Sequence, residues 1–316
     1  HMTQFAFVFP GQGSQSVGML DAWGDHPVVA QTLKEASDAR GQDVGALIHN
    51  GPKEALALTT NTQPVMLVAG VAAWRVWQAE GGALPDAVAG HSLGEYSALV
   101  ASGVLTLAQA APLVRLRAAA MQDAVPVGTG GMAAVLALDA DKVKAVCAEA
   151  TAQLGGAEVV EAVNFNDPAQ TVIAGSKAAV DKACEVLKAH GAKRTLPLPV
   201  SAPFHSSLLK PASDRLREYL ADVTFNAPQI PLVNNVDVAV ETDVARIKDA
   251  LVRQAAAPVR WVESVKWLAS QGVTQVVECG PGKVLTGLIK RIDKNIEGRS
   301  LATPADFAGA LEEWAN

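Results

Sequence analysis

The 316-residue sequence predicts an α/β protein, with a parallel sheet in a larger subdomain and a smaller subdomain inserted into it. Three observations carry that reading. Short apolar runs alternate with helical patterns at both ends of the chain, the rhythm of a parallel sheet covered by helices. The middle, from about 130 to 198, has its own rhythm of strand, helix, two strands, helix and strand. Two stretches flank it, Pro126-Val-Gly-Thr-Gly-Gly131 and Pro197-Leu-Pro199, and both read as hinges.

Taken in order, Phe5 to Phe9 is a buried strand that stops at Pro10-Gly11-Gln12-Gly13. Helical patterns follow at about 27–40 and 64–80, then a strand over 86–90 and helices at about 93–102 and 106–123. In the middle segment, Met132–Leu138, Val159–Asn164, Thr171–Ala174 and Lys193–Leu196 read as strands, with helices over 140–153 and 177–190. That order is the split βαβ, or ferredoxin-like, motif. Helices at about 207–221, 243–256 and 259–271 come next, then a strand from Val273 to Glu278 that ends at Gly280-Pro-Gly282. A helix carrying Lys283, Lys290 and Arg291 and a last helix over about 303–314 complete the chain. The expected division is 2–128 with 199–316 as the larger unit, and 129–198 as the insertion.

Composition excludes several classes. The formal charge of −6 argues against general nucleic-acid binding. No run is long and apolar enough for a membrane span, and no cleavable signal is evident. His1-Met2 reads as a cloning remnant before a native start. Cys147, Cys184 and Cys279 are far apart and form no Cys-x-x-Cys pair, so neither a disulfide framework nor a metal site is expected. A reducing cytoplasm fits that usage.

The chemistry centres on Gly90-His91-Ser92-Leu93-Gly94. A Gly-x-Ser-x-Gly run between an apolar strand and a helix is the layout of a nucleophile elbow, which makes the larger subdomain α/β-hydrolase-like. The turn lifts the Ser92 hydroxyl to a tip, and the helix start points free N–H groups at developing negative charge. A glycine-containing loop that merely caps a helix is the alternative reading.

A serine nucleophile needs a base. His26 and His49 sit in polar settings, His190 ends a helix, and His91 points away from Ser92 across the turn. His205 lies on an irregular loop, Val200-Ser-Ala-Pro-Phe204-His205, just after the second hinge, where it can face a cleft. The group that orients it stays open: Asp139 and Asp167 qualify by chain order, and a backbone carbonyl would serve equally. The loop Pro10 to Gln15 could add an N–H to that of Leu93 as an oxyanion hole. Of Arg115 and Arg117, two apart on one helix, one is exposed and the other is drawn inward, where it requires an anion such as a substrate carboxylate.

Together these motifs resemble the malonyl-CoA:acyl carrier protein transacylase family. The matching pieces are Phe7-Val-Phe-Pro-Gly-Gln-Gly-Ser-Gln15, Thr62-Gln-Pro64, Gly90-His-Ser-Leu-Gly-Glu-Tyr96, Arg117 with Met121-Gln122, and Asn166-Asp-Pro-Ala-Gln170. They continue through Ala202-Pro-Phe-His205, Asn234-Asn-Val-Asp237, Gln254-Ala-Ala-Ala-Pro-Val-Arg-Trp261 and Glu278-Cys-Gly-Pro-Gly-Lys-Val-Leu285. Ala118 departs from the glycine often found after the arginine. The resemblance implies Ser92 as nucleophile, His205 as base, the Gln254 carbonyl as orienter, and Gln12 and Leu93 as oxyanion donors. It further implies Arg117, His91, Phe204 and Asn166 as substrate-binding residues. The implied reaction moves a malonyl group from malonyl-CoA to the phosphopantetheine thiol of acyl carrier protein in fatty acid synthesis. No bound cofactor or metal and no nucleic-acid or membrane partner is implied, and a cytoplasmic monomer is expected. An esterase or thioesterase, a polyketide or malonate-metabolism transacylase, and a silent carrier-docking module are the competing readings. Because carrier proteins are acidic, Lys283, Lys290 and Arg291 are the candidate docking residues.

Overall fold

The computed structural model describes residues 4–200 and 202–314. Met2, the expected start of the larger unit, and Ser201, in the His205 loop, lie outside the described residues. The chain opens with strand β1 (Gln4–Phe9), then helices α1 (Pro27–Arg40), α2 (Val44–Asn50), α3 (Lys53–Ala57) and α4 (Thr59–Ala79). Strand β2 (Ala87–Gly90), α5 (Gly94–Ala101) and α6 (Leu107–Asp123) follow. The middle segment holds β3 (Gly130–Leu136), α7 (Ala140–Gln153), β4 (Val160–Asp167), β5 (Gln170–Ser176), α8 (Lys177–Ala189) and β6 (Arg194–Pro197). The last stretch is α9 (Lys210–Leu220), α10 (Val244–Gln254), α11 (Trp261–Ser270), β7 (Val273–Cys279), α12 (Val284–Ile292), β8 (Glu297–Leu301) and α13 (Pro304–Trp314).

Two separate sheets result. The first has the order β2-β1-β7-β8, and every pairing in it is parallel. Along β1, Phe5, Phe7 and Phe9 enter one core while Ala6 and Val8 enter another. Both faces are therefore apolar, which is why the strand reads as an unbroken hydrophobic run. The second sheet has the order β4-β5-β3-β6 with antiparallel pairings, the ferredoxin-like arrangement that the middle segment predicts. Ala133, Val135 and Ile173 on one face pack against α7 and α8 residues such as Val143 and Ala183.

The opposite face of that small sheet positions the site. Met132, Val172 and Ala174 pack there with Ala120 and Met121 of α6 and with Ala202, Phe204 and Leu209 of the segment after β6. The loop bearing His205 is thus clamped between the small sheet and α6.

Some elements differ from expectation. Helix α4 starts at Thr59 and contains Pro64, instead of beginning at it. Pro64 is the sixth residue of α4, past the first turn, so the helix runs through it at the cost of one backbone N–H. Helices α2 and α3 are short, and β8 reads Glu-Gly-Arg-Ser-Leu, so none of the three presents a long periodic signal.

Candidate active site

β2 runs into the elbow and α5 leaves it, with Ser92 between them at φ +54°. A non-glycine residue in this left-handed region is strained, and such strain collects at functional sites. The flanking glycines are required by close approach. A Cβ on Gly94 would lie 2.0 Å from the Phe9 carbonyl oxygen, and one on Gly90 would lie 1.9 Å from the carbonyl carbon of Gly94. Gly11 brings the Pro10 loop onto the elbow, since a Cβ there would meet the His91 carbonyl oxygen at 2.6 Å.

His205, also at positive φ (67°), faces the serine, and Ser92 Oγ lies 2.6 Å from His205 Nε2. On its other side, Nδ1 lies 2.8 Å from the backbone oxygen of Gln254. A carbonyl can only accept, so Nδ1 carries the proton and donates it there, and Nε2 accepts from the Ser92 hydroxyl. Gln254 closes α10, where carbonyls have no helical partner, so its oxygen can take the imidazole beside a long contact from the Ala257 N–H at 3.5 Å. Burial, reinforced by the Arg117 charge, pushes the His205 imidazole down to about 3. It therefore stands as a neutral base at ordinary pH.

The two aspartates that chain order left open are engaged elsewhere. Asp139 accepts from the Lys142 N–H and caps α7. Asp167 accepts from the Ala169 N–H and from Arg291 Nε at 2.8 Å.

Arg117 is the inward arginine of α6, with no solvent exposure at all. Its Nη1 donates to Gln63 Oε1 at 2.7 Å, and Nη2 donates to Gln254 Oε1 at 2.9 Å and to Ser92 Oγ at 3.3 Å. Its Nε has no acceptor among the described residues. Neutral amide oxygens hold this cation, and the direct carboxylate partner that a buried guanidinium calls for is missing among the described residues. The fork is therefore prepared for an anion beside the serine.

Ser92, His205, Arg117 and Gln63 line a cleft of about 110 Å³ together with Gln12, Leu93, Phe204, Met132 and Asn164. The backbone N–H groups of Gln12 and Leu93 donate to no protein acceptor among the described residues, so both are free for an oxyanion. The Gln12 side chain donates to Thr59 Oγ1. His91 lines the cleft, and its Nε2 meets Asn166 Oδ1 at 2.7 Å. Asn166 thus reaches the cleft through His91, whereas Asn164, which sequence reasoning passed over, lines it directly. Gln63 and Asn235 lie within the motifs Thr62-Gln-Pro64 and Asn234-Asn-Val-Asp237, whose sequence assigns them no role. Gln63 grips Arg117, and Asn235 Oδ1 accepts the Ser92 N–H at 2.8 Å.

An elbow serine, a carbonyl-oriented histidine and a buried arginine in one cleft suit acyl transfer, and comparison with known proteins agrees. The model of the acyl transferase domain family matches residues 6–309. The chain belongs to that family. Among acyl transferases it is similar to the malonyl CoA-acyl carrier protein transacylase of Salmonella typhimurium, 55% identical over 99% of this chain and 100% of that protein. The enzyme of the same name from Bacillus subtilis is 41% identical over 98% of this chain and 97% of its own length. Of solved structures, the acyl-carrier-protein S-malonyltransferase of Burkholderia pseudomallei superposes with a TM-score of 0.95 at 67% identity, covering 98% and 99% of the two chains. A malonyl-transacylase in complex with a type II polyketide acyl-carrier protein gives a TM-score of 0.96 at 50% identity, covering 98% and 100%.

Proposed function

We propose that this acyl transferase moves a malonyl group from malonyl-CoA to the phosphopantetheine thiol of an acyl carrier protein, through a malonyl ester on Ser92, in fatty acid synthesis. The observation that carries the reading is the placement of Arg117. Its buried guanidinium lies 3.3 Å from the Ser92 hydroxyl oxygen, so an acyl group on that oxygen that ends in a carboxylate has a cation within reach. A plain ester or acetyl group would leave it unpaired.

In the first half-reaction His205 Nε2 takes the Ser92 proton and Oγ attacks the thioester carbon. The N–H groups of Gln12 and Leu93 receive the oxyanion. The C–S bond breaks, and the coenzyme A sulfur leaves with the proton held by His205. In the second half, the carrier thiol gives its proton to His205 and attacks the ester carbon. The C–O bond breaks, and Oγ regains the proton. Protein groups balance every step, so no resident metal or cofactor enters the scheme. The substrate carboxylate also offsets the Arg117 charge that depresses His205, which makes the base stronger once substrate is bound.

Phe204 narrows the cleft beside His205, which favours an unbranched malonyl unit, while Asn166 holds the His91 ring that also lines it. The units 2–128 with 199–316 and 129–198 meet at this cleft, and their closure would keep water from the ester. Exposed Lys283 and Lys290 on and before α12 are the docking candidates for an acidic carrier, while Arg291 shares its charge with Asp167. The enzyme acts as a monomer in the cytoplasm on this proposal, with neither nucleic acid nor membrane as partner. Among the described residues no helix is long and apolar enough to cross a membrane.

Incubation with malonyl-CoA and a phosphopantetheinylated carrier protein tests the proposal. Malonyl thioester on the carrier is the expected product. Free malonate as the main product would make the protein a thioesterase, and carrier binding without turnover would make it a docking module.

A further inference from the structure

We propose that Asn235 is a positioning residue for acyl transfer, whose amide fixes the elbow serine and Gln254 at one spacing. The inference rests on the acyl-transfer reading. Asn235 has no solvent exposure, and both ends of its side chain are committed to the site. Oδ1 accepts from the Ser92 N–H at 2.8 Å and from Gln254 Nε2 at 3.3 Å. Nδ2 donates to the Gly90 carbonyl at 2.7 Å. One amide thus spans the elbow, gripping the residue before the turn and the residue at its tip. The donor and acceptor ends cannot be exchanged, because Ser92 N–H only donates and the Gly90 carbonyl only accepts.

Gln254 joins the rest of the machinery to this clamp. Its backbone oxygen holds His205 Nδ1, its Oε1 holds Arg117, and its Nε2 donates to the Ser92 carbonyl at 3.0 Å as well as to Asn235. Nucleophile, base and carboxylate receptor therefore share one buried hydrogen-bond frame, with Asn235 as its cross-brace. The Asn235 backbone is fixed in turn, since its N–H donates to Glu95 Oε1 at 2.8 Å and its carbonyl accepts from the Arg260 N–H. A strained turn such as that at Ser92 persists only when its surroundings over-determine it, and this amide supplies that constraint. A misplacement of the nucleophile on the order of 1 Å costs about 100-fold in rate.

Asn235→Ala and Asn235→Asp test the role beside the parent enzyme. The readouts are the limiting rate and half-saturating malonyl-CoA concentration of Ser92 acylation, with thermal melting recorded in parallel. The parent's own adduct verifies the acyl-transfer reading independently, so failure of that reading is seen before any variant is judged. Both variants are expected to lose about 10- to 100-fold in limiting rate with little change in half-saturation. A limiting rate per folded molecule within about twofold of the parent, or a loss confined to half-saturation, overturns the role.

The aspartate variant keeps the side chain's shape and adds a signature. Charged, it repels the Gly90 carbonyl; protonated, it donates to it again. The titratable and charged groups around it are Glu95 on α5, Arg117 on α6, His205 in its loop, Asp237 before α10, Arg253 in the last turn of α10 and Arg260 after it. Its acylation rate relative to the parent's at the same pH should rise as pH falls from about 8 to about 6, since His205 is already neutral there and the Glu95 titration near 7 is common to both proteins. A variant profile parallel to the parent's overturns the proposal.

Discussion

Ser92 and His205 meet at 2.6 Å with both backbones in the left-handed region, at φ 54° and 67°. The pair proposed to perform the chemistry is also the pair held against backbone preference. Packing from two sides sustains it: Gly90 and Gly94 close the elbow on Phe9, and Phe204 anchors the histidine loop under the small sheet. Such strain costs on the order of 1–3 kcal/mol per residue.

Glycine at position 92 relieves that strain and alanine does not. Ser92→Gly should be more stable than Ser92→Ala by about 1 kcal/mol in urea denaturation, with both inactive. Equal or reversed stabilities would mean that the elbow stores no strain at this residue.

Arg117→Ala should lower kcat/KM for malonyl-CoA by about 100-fold or more, while acetyl transfer changes little, because a buried bidentate contact is lost for one substrate only. Arg117→Lys should recover only part of it, since an ammonium cannot reproduce the fork held by Gln63 and Gln254. Steady-state rates with both thioesters check this, and equal losses for the two substrates would refute it.

Glu95 is buried, accepts from the Asn235 N–H, and is pushed up to about 7 by burial. Its folded value lies above its unfolded value of 4.5, so the fold holds the proton more tightly than the unfolded chain does. Stability from this group is full below about pH 4.5 and is lost as pH rises through about 7. Glu95→Gln should remove that loss, so the variant's melting temperature relative to the parent should be higher at about pH 8 than at about pH 5. His205 works in the opposite direction. Held neutral, with a folded value of about 3 against 6.5 unfolded, it costs stability as pH falls below 6.5 in parent and variant alike, and so cancels in the comparison.

Reversing Lys283 and Lys290 to glutamate should raise the KM for carrier protein severalfold at low salt and leave that for malonyl-CoA alone. Rates across a salt series check this. An unchanged carrier KM at low salt would remove α12 from the docking surface.

Ser92 was legible because an elbow is local: glycine spacing, an apolar strand before it and a helix after it lie within a dozen residues. His205 could be reached by elimination among few histidines, and Arg117 by its apolar helix neighbours. Gln254 had no signature of its own, because it orients the base through a backbone carbonyl that any residue could supply; the resemblance alone pointed to it. Asn235 and Gln63 stayed silent for a related reason. Their roles depend on buried amides meeting groups 143 and 54 positions away, and no sequence pattern encodes that contact. The small subdomain was legible as an order of strands and helices, since periodicity survives there. Strand β8, with a glycine and two charged residues among its five, offered no such period.

The central claim is a carboxylate-selected acyl ester on Ser92. Intact-protein mass spectrometry after brief exposure to malonyl-CoA tests it most directly, with acetyl-CoA and Ser92→Ala run alongside. A single malonyl adduct on the parent, absent from Ser92→Ala and weak with acetyl-CoA, is the predicted result. An adduct that survives in Ser92→Ala, or equal labelling by malonyl- and acetyl-CoA, would contradict it.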